Sequence, residues 1–583
     1  MLQRFGKTTA SILTWERFPR AGSSLFRDLP VILAVIAVFY ALLSFTHYWL
    51  APAGAEANIQ LQLSALPRYA MFSVLRISLA YLCSLAFTFV YAYIAAYNAR
   101  AERYMIPLLD TLQSIPVLSF LPPVMLAMVA LFPGRQIGIE LGSILLIFTS
   151  QVWNMTFSFY SSLKSIPAEM REVAQIYRWS WWQRFTEMEL PYATIGLIWN
   201  SMMSVAGGWF VLTACEMFVL GSRDLRLPGL GSYLQTAANA GDTRAIIGGL
   251  ATMIGIVILI DQFVWRPVIA WAEKFKFEQV EAVSVPRSPV LNLLRHSRLL
   301  PLLAQATVRP AREYLDLLFA KRRAAPEREQ PPNKFGIWAS RIALLLILLG
   351  IAFAFAKMTL LLAFLTRPEL TGILAGAGAT FLRVELTLVL AGLWTIPVGI
   401  LIGLNPKLSA IAQPIAQIAA SVPATALFPI ILLGLIHAGG GLGIGSIVLL
   451  LLGTQWYILF NVIAGASAIP SDLKEVCSVF RFHTWERWRE LLLPAVFPYL
   501  LTGFVTASGG AWNASIIAEY FRFQGQTFRV TGLGSVISNA TDTGNFRVLL
   551  AATILMSAMV VTFNRLVWRK LYRIASTRYT LET

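Results

Sequence analysis

Two stretches decide how this chain is read: IPAEMREVAQIYRWSWWQRFTEMELP at residues 166–191, and IPSDLKEVCSVFRFHTWERWRELLLP at residues 469–494, 303 positions later. Ten of the 26 aligned positions are identical, where ordinary composition predicts roughly two. The chain therefore carries an internal duplication. In each copy the apolar residues keep helical spacing: Met170, Val173, Ala174 and Tyr177 in the first, Leu473, Val476, Cys477 and Phe480 in the second. Pro167 and Pro470 suit helix starts, and Glu169 and Asp472 lie in first turns, where the positive end of the helix dipole favours an acid. Leu190-Pro191 and Leu493-Pro494 predict a break before the next apolar segment. Each copy is thus expected to be a short helix, a turn and a second helix outside the bilayer.

The rest of the chain is too apolar for a soluble protein. Of 583 residues, 57% are hydrophobic and 13% charged, and the mean hydropathy is +0.65, so a polytopic membrane protein is expected. The net charge of +17 does not point to nucleic acid. The basic residues sit in short segments beside apolar runs, the pattern of loops facing anionic lipid. Three cysteines (Cys83, Cys215, Cys477) and four dispersed histidines form no ligand spacing, so no metal site is expected. Gly6-Lys7-Thr8 lacks the first glycine and the preceding strand of a phosphate-binding loop. No catalytic constellation and no nucleotide site are expected in this chain.

Apolar segments long enough to cross a bilayer run near 29–50, 69–97, 116–132, 137–160, 192–220 and 245–272, then near 336–365, 380–404, 422–437, 440–463, 495–518 and 546–568. The first, with basic residues before it and no small-residue cleavage site after it, reads as a retained signal anchor. Lysine and arginine cluster in the N-terminal arm, the Arg100/Arg103 turn, the two islands, the segment 273–335 and the tail. That distribution puts both termini and both islands in the cytoplasm. Residues 273–335 read as a basic tether between two halves. The duplication extends along both: Ser114-Ile115-Pro116 matches Ser421-Val422-Pro423, Leu230-Gly231-Ser232 matches Leu533-Gly534-Ser535, and Val264-Trp265-Arg266 matches Val567-Trp568-Arg569. An even number of crossings per half relates the halves by an axis along the membrane normal, with a pathway on that axis.

Each island, a glutamate followed by small residues and a Leu-Pro ending, resembles the EAA loop of ABC importer permeases, and each half resembles the nitrate/sulfonate/taurine branch of that family. The residues carrying the likeness are Glu172, Ala174, Leu190 and Pro191, and Glu475, Cys477, Leu493 and Pro494. Two positions depart from the family pattern: Arg178 and Arg481 stand where a glycine is usual, and Val173 and Val476 where a small residue is usual. The resemblance implies an all-α polytopic membrane protein of about 12 transmembrane helices in two tandem 6-helix repeats. The first permease half would be 1–272, the linker 273–335 and the second half 336–583. It further implies coupling to ATPase subunits through Glu172, Ala174, Arg178 and Pro191, and Glu475, Cys477, Arg481 and Pro494. ATP and Mg would bind those partner subunits. Two ATPase subunits, a periplasmic substrate-binding protein, an inner-membrane location and a small oxyanion or sulfonate-like solute follow from the same resemblance.

Inside the apolar segments the residues to explain are Arg76 and Arg383, at equivalent places, and Glu216 and Glu519, likewise equivalent. Charge in hydrocarbon faces a cavity or a partner. Either the arginines give the pathway a field that attracts an anion, or each pairs with a glutamate to hold two helices together. Trp209 and Trp512 line the pathway or pack as ordinary aromatics. Gly207-Gly208 and Gly509-Gly510 permit close helix approach or a gate. Asn513 stands where the first half has Phe210, so an asymmetric pathway is expected. The rival reading, a secondary transporter of two parallel six-helix repeats, requires an ion-binding or titratable group near the bilayer midplane.

Overall fold

The computed structural model describes residues 59–220, 223–275, 289–296, 356–437, 441–467 and 471–578 except 524–525, with scattered positions between. Most of the expected span at 29–50, which includes the signal anchor, nearly half of 336–365 and most of the linker lie outside the described residues.

Four long helices build each half. In the first they are α1 (Leu66–Tyr97), α4 (Gln136–Lys164), α6 (Trp181–Glu216) and α8 (Thr243–Ala272). Between them lie α2 (Ala99–Gln113), α3 (Leu121–Leu131), α5 (Ala168–Ile176), a hairpin of β1 (Val219–Leu220) and β2 (Arg223–Asp224), and α7 (Leu230–Ala240). A short helix α9 (Pro289–His296) follows. The second half repeats the order: α10 (Arg367–Leu404), α11 (Pro406–Ser421), α12 (Ala424–His437), α13 (Leu442–Ser467), α14 (Ser471–Val479), α15 (Thr484–Ala518), β3 (Tyr520–Phe523) paired with β4 (Gln526–Arg529), α16 (Leu533–Thr543) and α17 (Phe546–Ala575).

Among the described residues eight helices are long and apolar enough to cross a membrane, and nine if α2 and the limb Val117–Leu131, bent by 85°, form one broken span. The expected total of twelve is not reached. One of its members falls largely and another partly outside the described residues, and neither 116–132 nor 422–437, where α12 has only 14 residues, is a crossing by itself. The eleven residues of α3 reach only about 17 Å at the helical rise, roughly half the hydrocarbon core. Pro116, which lacks an N–H, opens the backbone between the limbs, and Pro122 restarts it at the head of α3.

The island exits differ from the expectation as well. Leu190-Pro191 and Leu493-Pro494 do not break the chain, because α6 and α15 run through them without interruption. Wide π turns at Phe185–Glu189 and Arg487–Leu492 precede each proline. Inserting one residue into the turn moves the carbonyl that the proline ring would strike and leaves no N–H to satisfy. The island's second helix is therefore an extension of a membrane helix. Movement of the island is movement of that span.

The turn inside each island keeps left-handed geometry without glycine. Arg178 has φ 47° and Arg481 φ 52°. The Trp179 N–H donates to the Ala174 carbonyl at 2.9 Å, and Phe482 to Cys477 at 3.0 Å. These are the six-to-one bonds of a Schellman cap. An L side chain in this region costs on the order of 1 kcal/mol, so Arg178→Gly is expected to keep the turn and stabilise it by about that amount. Arg178→Val, β-branched, is expected to loosen it; limited proteolysis of the purified chain at 168–184 separates the two.

Candidate functional site: an axial pathway between two levers

The ends of the helix bundle carry different chemistry. At the island end, Ala174 and Cys477 are buried beneath their short helices, which anchors α5 and α14 to the bundle. The opposite faces of those helices stay open. Ile176 is 77% exposed, Val479 76% and Phe480 70%, with Val173, Tyr177 and Val476 exposed as well. Only part of the apolar stripe therefore faces the bundle. Glu172, Glu475, Arg178 and Arg481 are exposed on the same islands, Pro191 is buried and Pro494 half-buried at the lever exits.

At the other end sit the intramembrane charges. Arg76 is fully buried and binds two carboxylates: Glu140 at 2.6 Å and Glu216 at 2.8 Å. It also donates to the Pro228 carbonyl at 2.9 Å. Glu216 accepts from Ser73 Oγ at 2.7 Å and from the Gly231 N–H at 2.8 Å. The second half repeats this constellation: Arg383 pairs with Glu519, which accepts from Thr380 Oγ1 at 2.7 Å and the Gly534 N–H at 2.8 Å. The pairing reading of these four residues is the one the geometry realises. Arg76 and Arg383 line neither cavity described below. The Leu-Gly-Ser sequences, expected as turns, are instead the first residues of α7 and α16, whose free N–H groups receive the carboxylates. A Cβ on Gly229 would lie 2.2 Å from the Glu216 carboxyl, and one on Gly532 2.1 Å from that of Glu519. Glycine is what lets the acid reach the helix end.

Sequence reasoning missed Glu140. It is the one acid in the apolar run of α4, and that isolation was the available signal. Its equivalent in the second half is Gly443, so the duplicated clusters differ by one buried carboxylate.

Between the halves lie two cavities. The one farther from the islands, the outer cavity, of about 430 Å³, is walled by α3, the two hairpins, α7 and α16. Asp224 and Arg226 stand at its rim, 2.5 Å apart, and Tyr520 donates to Asp542 across from them. Partial burial pushes the Asp224 carboxyl up, but bonds from the Arg226 side chain and backbone outweigh it and hold the group below its usual range. That tie is complete at neutral pH and is lost only as pH falls through the lowered value. The inner cavity, about 220 Å³, is lined by equivalent positions of both halves, among them Trp153 and Trp456, Gly207 and Gly510, Phe210 and Asn513. Its described lining residues carry no charge. Polar groups there are amides and hydroxyls: Gln113, Ser150, Asn154, Ser204, Tyr457, Thr506 and Asn513. Trp209 and Trp512 are buried and line neither cavity.

Two hydrogen bonds cross from half to half where one cavity gives way to the other. Thr213 Oγ1 and Thr425 Oγ1 are 2.7 Å apart, and the Leu118 N–H donates to Asn513 Oδ1 at 3.3 Å. Asn513, picked out by its asymmetry, thus both lines the inner cavity and ties the two halves together. Thr213→Val is expected to cost about 1–3 kcal/mol by leaving the buried Thr425 hydroxyl without its partner. The double variant Thr213→Val/Thr425→Val is expected to recover most of it, read by thermal unfolding of the purified chain.

A sequence profile for the family described as "Binding-protein-dependent transport system inner membrane component" matches residues 88–264 and again 395–571. The chain belongs to this family, twice over. As a member it is a multi-pass inner-membrane protein. It is 30% identical over 189 residues to the bicarbonate transport system permease protein CmpB of Synechococcus elongatus, a stretch covering 32% of this chain and 65% of that protein. It is 28% identical over 189 residues to the nitrate import permease protein NrtB of Leptolyngbya laminosa, covering 32% and 64%. To the putative aliphatic sulfonates transport permease protein SsuC of Bacillus subtilis it is 23% identical over 207 residues, covering 35% and 70%. The chain spans just under two thirds of the length of the first two relatives.

Proposed function

We propose that this chain is the double permease of an ATP-driven importer, one polypeptide supplying both membrane halves. The observation that supports it best is the pair of islands: each is continuous with a membrane helix, turns on the same left-handed residue, and presents an exposed apolar helix face. A patch of that kind marks a surface for another protein, and two equivalent patches suit two ATPase subunits, which would carry the ATP and Mg. With the islands and both termini on the cytoplasmic side, as the basic loops direct, the 430 Å³ cavity opens outward, toward a periplasmic substrate-binding protein.

The solute is a small anion of the class named for the relatives: bicarbonate, nitrate or an aliphatic sulfonate. The buried Arg76 does not attract it, since two carboxylates already offset its charge. Amide and hydroxyl donors of the inner cavity would carry it instead. A secondary transporter is expected to carry an ion-binding or titratable group near the bilayer midplane, and among the described residues lining the inner cavity there is no Asp, Glu, Lys, Arg or His.

The test is reconstitution of the chain with its ATPase subunits and binding protein in vesicles. Uptake should require ATP, and Glu172→Lys or Glu475→Lys should lower it at least tenfold while the permease stays folded. ATP-independent uptake driven by an ion gradient would overturn the proposal.

A further inference from the structure

The two halves repeat one another in order and shape, yet the bonds that tie each lever to its bundle differ. In the first half Glu189, fully buried in the π turn at the lever exit, accepts from Tyr97 Oη at 2.6 Å and pairs with Arg184 at 3.1 Å. Arg184 donates to Tyr93 Oη at 3.1 Å and lies 5.2 Å from the Tyr97 ring centroid. These contacts bind the lever to the end of α1 through directional, charge-assisted bonds. The equivalents in the second half are Leu492 for Glu189, Leu404 for Tyr97 and Ile400 for Tyr93. Arg487 keeps the place of Arg184. At these three positions the second half therefore offers apolar side chains, whose contacts are non-directional and permit sliding.

The difference recurs at the far end of the same helices. Arg76 joins α1 to both α4 and α6 through Glu140 and Glu216. Arg383 pairs with one acid, Glu519 on α15, and donates to the Thr531 carbonyl at 3.1 Å, and Gly443 stands where the first half has its second acid. The first half thus has a charged tie at both ends, whereas at the lever end the second half has apolar side chains in place of Glu189, Tyr97 and Tyr93.

We infer that the halves are mechanically unequal: the first is a rigid frame whose lever is latched to α1 by Glu189, Arg184, Tyr97 and Tyr93, and the second carries the lever that moves. The consequence for transport rests on the importer reading above, but the latch itself does not. Glu189 is a positioning residue, acting through α1 rather than on solute.

Amide hydrogen exchange of the full chain in lipid nanodiscs, without any ATPase, tests the latch. Residues 168–184 should exchange at least about tenfold more slowly than 471–487, as one charge-assisted bond implies. Glu189→Gln, or the milder Tyr97→Phe, should raise exchange at 168–184 by about tenfold and leave 471–487 unchanged. The graft Leu404→Tyr/Leu492→Glu, with Arg487 already in place, should slow 471–487. Equal exchange of the two levers in the unmodified chain, or no response to either Glu189→Gln or Tyr97→Phe, overturns the inference. Absence of ATP-coupled uptake counts against the importer reading and leaves the exchange result standing.

Discussion

Arg76→Gln is expected to abolish recovery of folded chain from the membrane, whereas Arg383→Gln is expected only to reduce it. The reason is the count of carboxylates. Removing the Arg76 guanidinium leaves Glu140 and Glu216 fully buried with no counter-charge, and breaking a buried pair from one side costs about 3–5 kcal/mol. That is a large part of a typical stability of about 5–15 kcal/mol. Arg383 faces one carboxylate, and its own side chain is 12% exposed, so solvent offsets part of the loss. The companion variants separate pairing from general damage. Arg383→Gln/Glu519→Gln is expected to restore folded protein, because both charges go and Thr380 and the Gly534 N–H still satisfy the amide. Arg76→Gln/Glu216→Gln is expected not to, since Glu140 remains. Only addition of Glu140→Gln should rescue the first half. Monodisperse protein after detergent extraction is the measurement, and rescue of the first half by the double variant would contradict the triad.

The second large effect is expected on the levers. Phe480→Asp should weaken ATPase assembly at least tenfold while leaving the permease as soluble in detergent and as heat-resistant as before. Phe480 is 70% exposed and Ile176 77%, so neither side chain supports the fold. Burying a large apolar side chain against a partner contributes about 1.5–3 kcal/mol, and an aspartate in its place adds the cost of desolvating a charge. Ile176→Asp should act alike on the first lever. Co-purification with the ATPase subunits, with hydrolysis measured alongside, reads both. A loss of permease folding in place of a loss of partner would show that these faces are internal packing.

Much of this was legible in the chain. The repeat at 303 residues, the helical stripes of the islands and the basic loops are local patterns, set by composition and periodicity, and they led to the family. The equivalence of Arg76 with Arg383 and of Glu216 with Glu519 was visible too, but not whom they bind. The span count went astray where proline chemistry has two outcomes. Pro116 opens the backbone into a sharp bend, while Pro191 and Pro494 sit inside unbroken helices because a π turn before each takes up the strain. Nothing in the local sequence distinguishes these cases; packing of the neighbouring helices does.

What the amino-acid sequence determined by itself is the membrane class, the tandem repeat, the two islands and the identity of the charged residues, since each depends on residue type and spacing alone. Only the tertiary structure decided that Arg76 serves two acids, one of them 64 residues away on α4, that Asn513 reaches across to Leu118, and that Glu189 latches the first lever. Contacts between residues far apart in the chain are chosen by how helices pack, and helix packing sums many weak side-chain interactions that no single stretch of sequence contains.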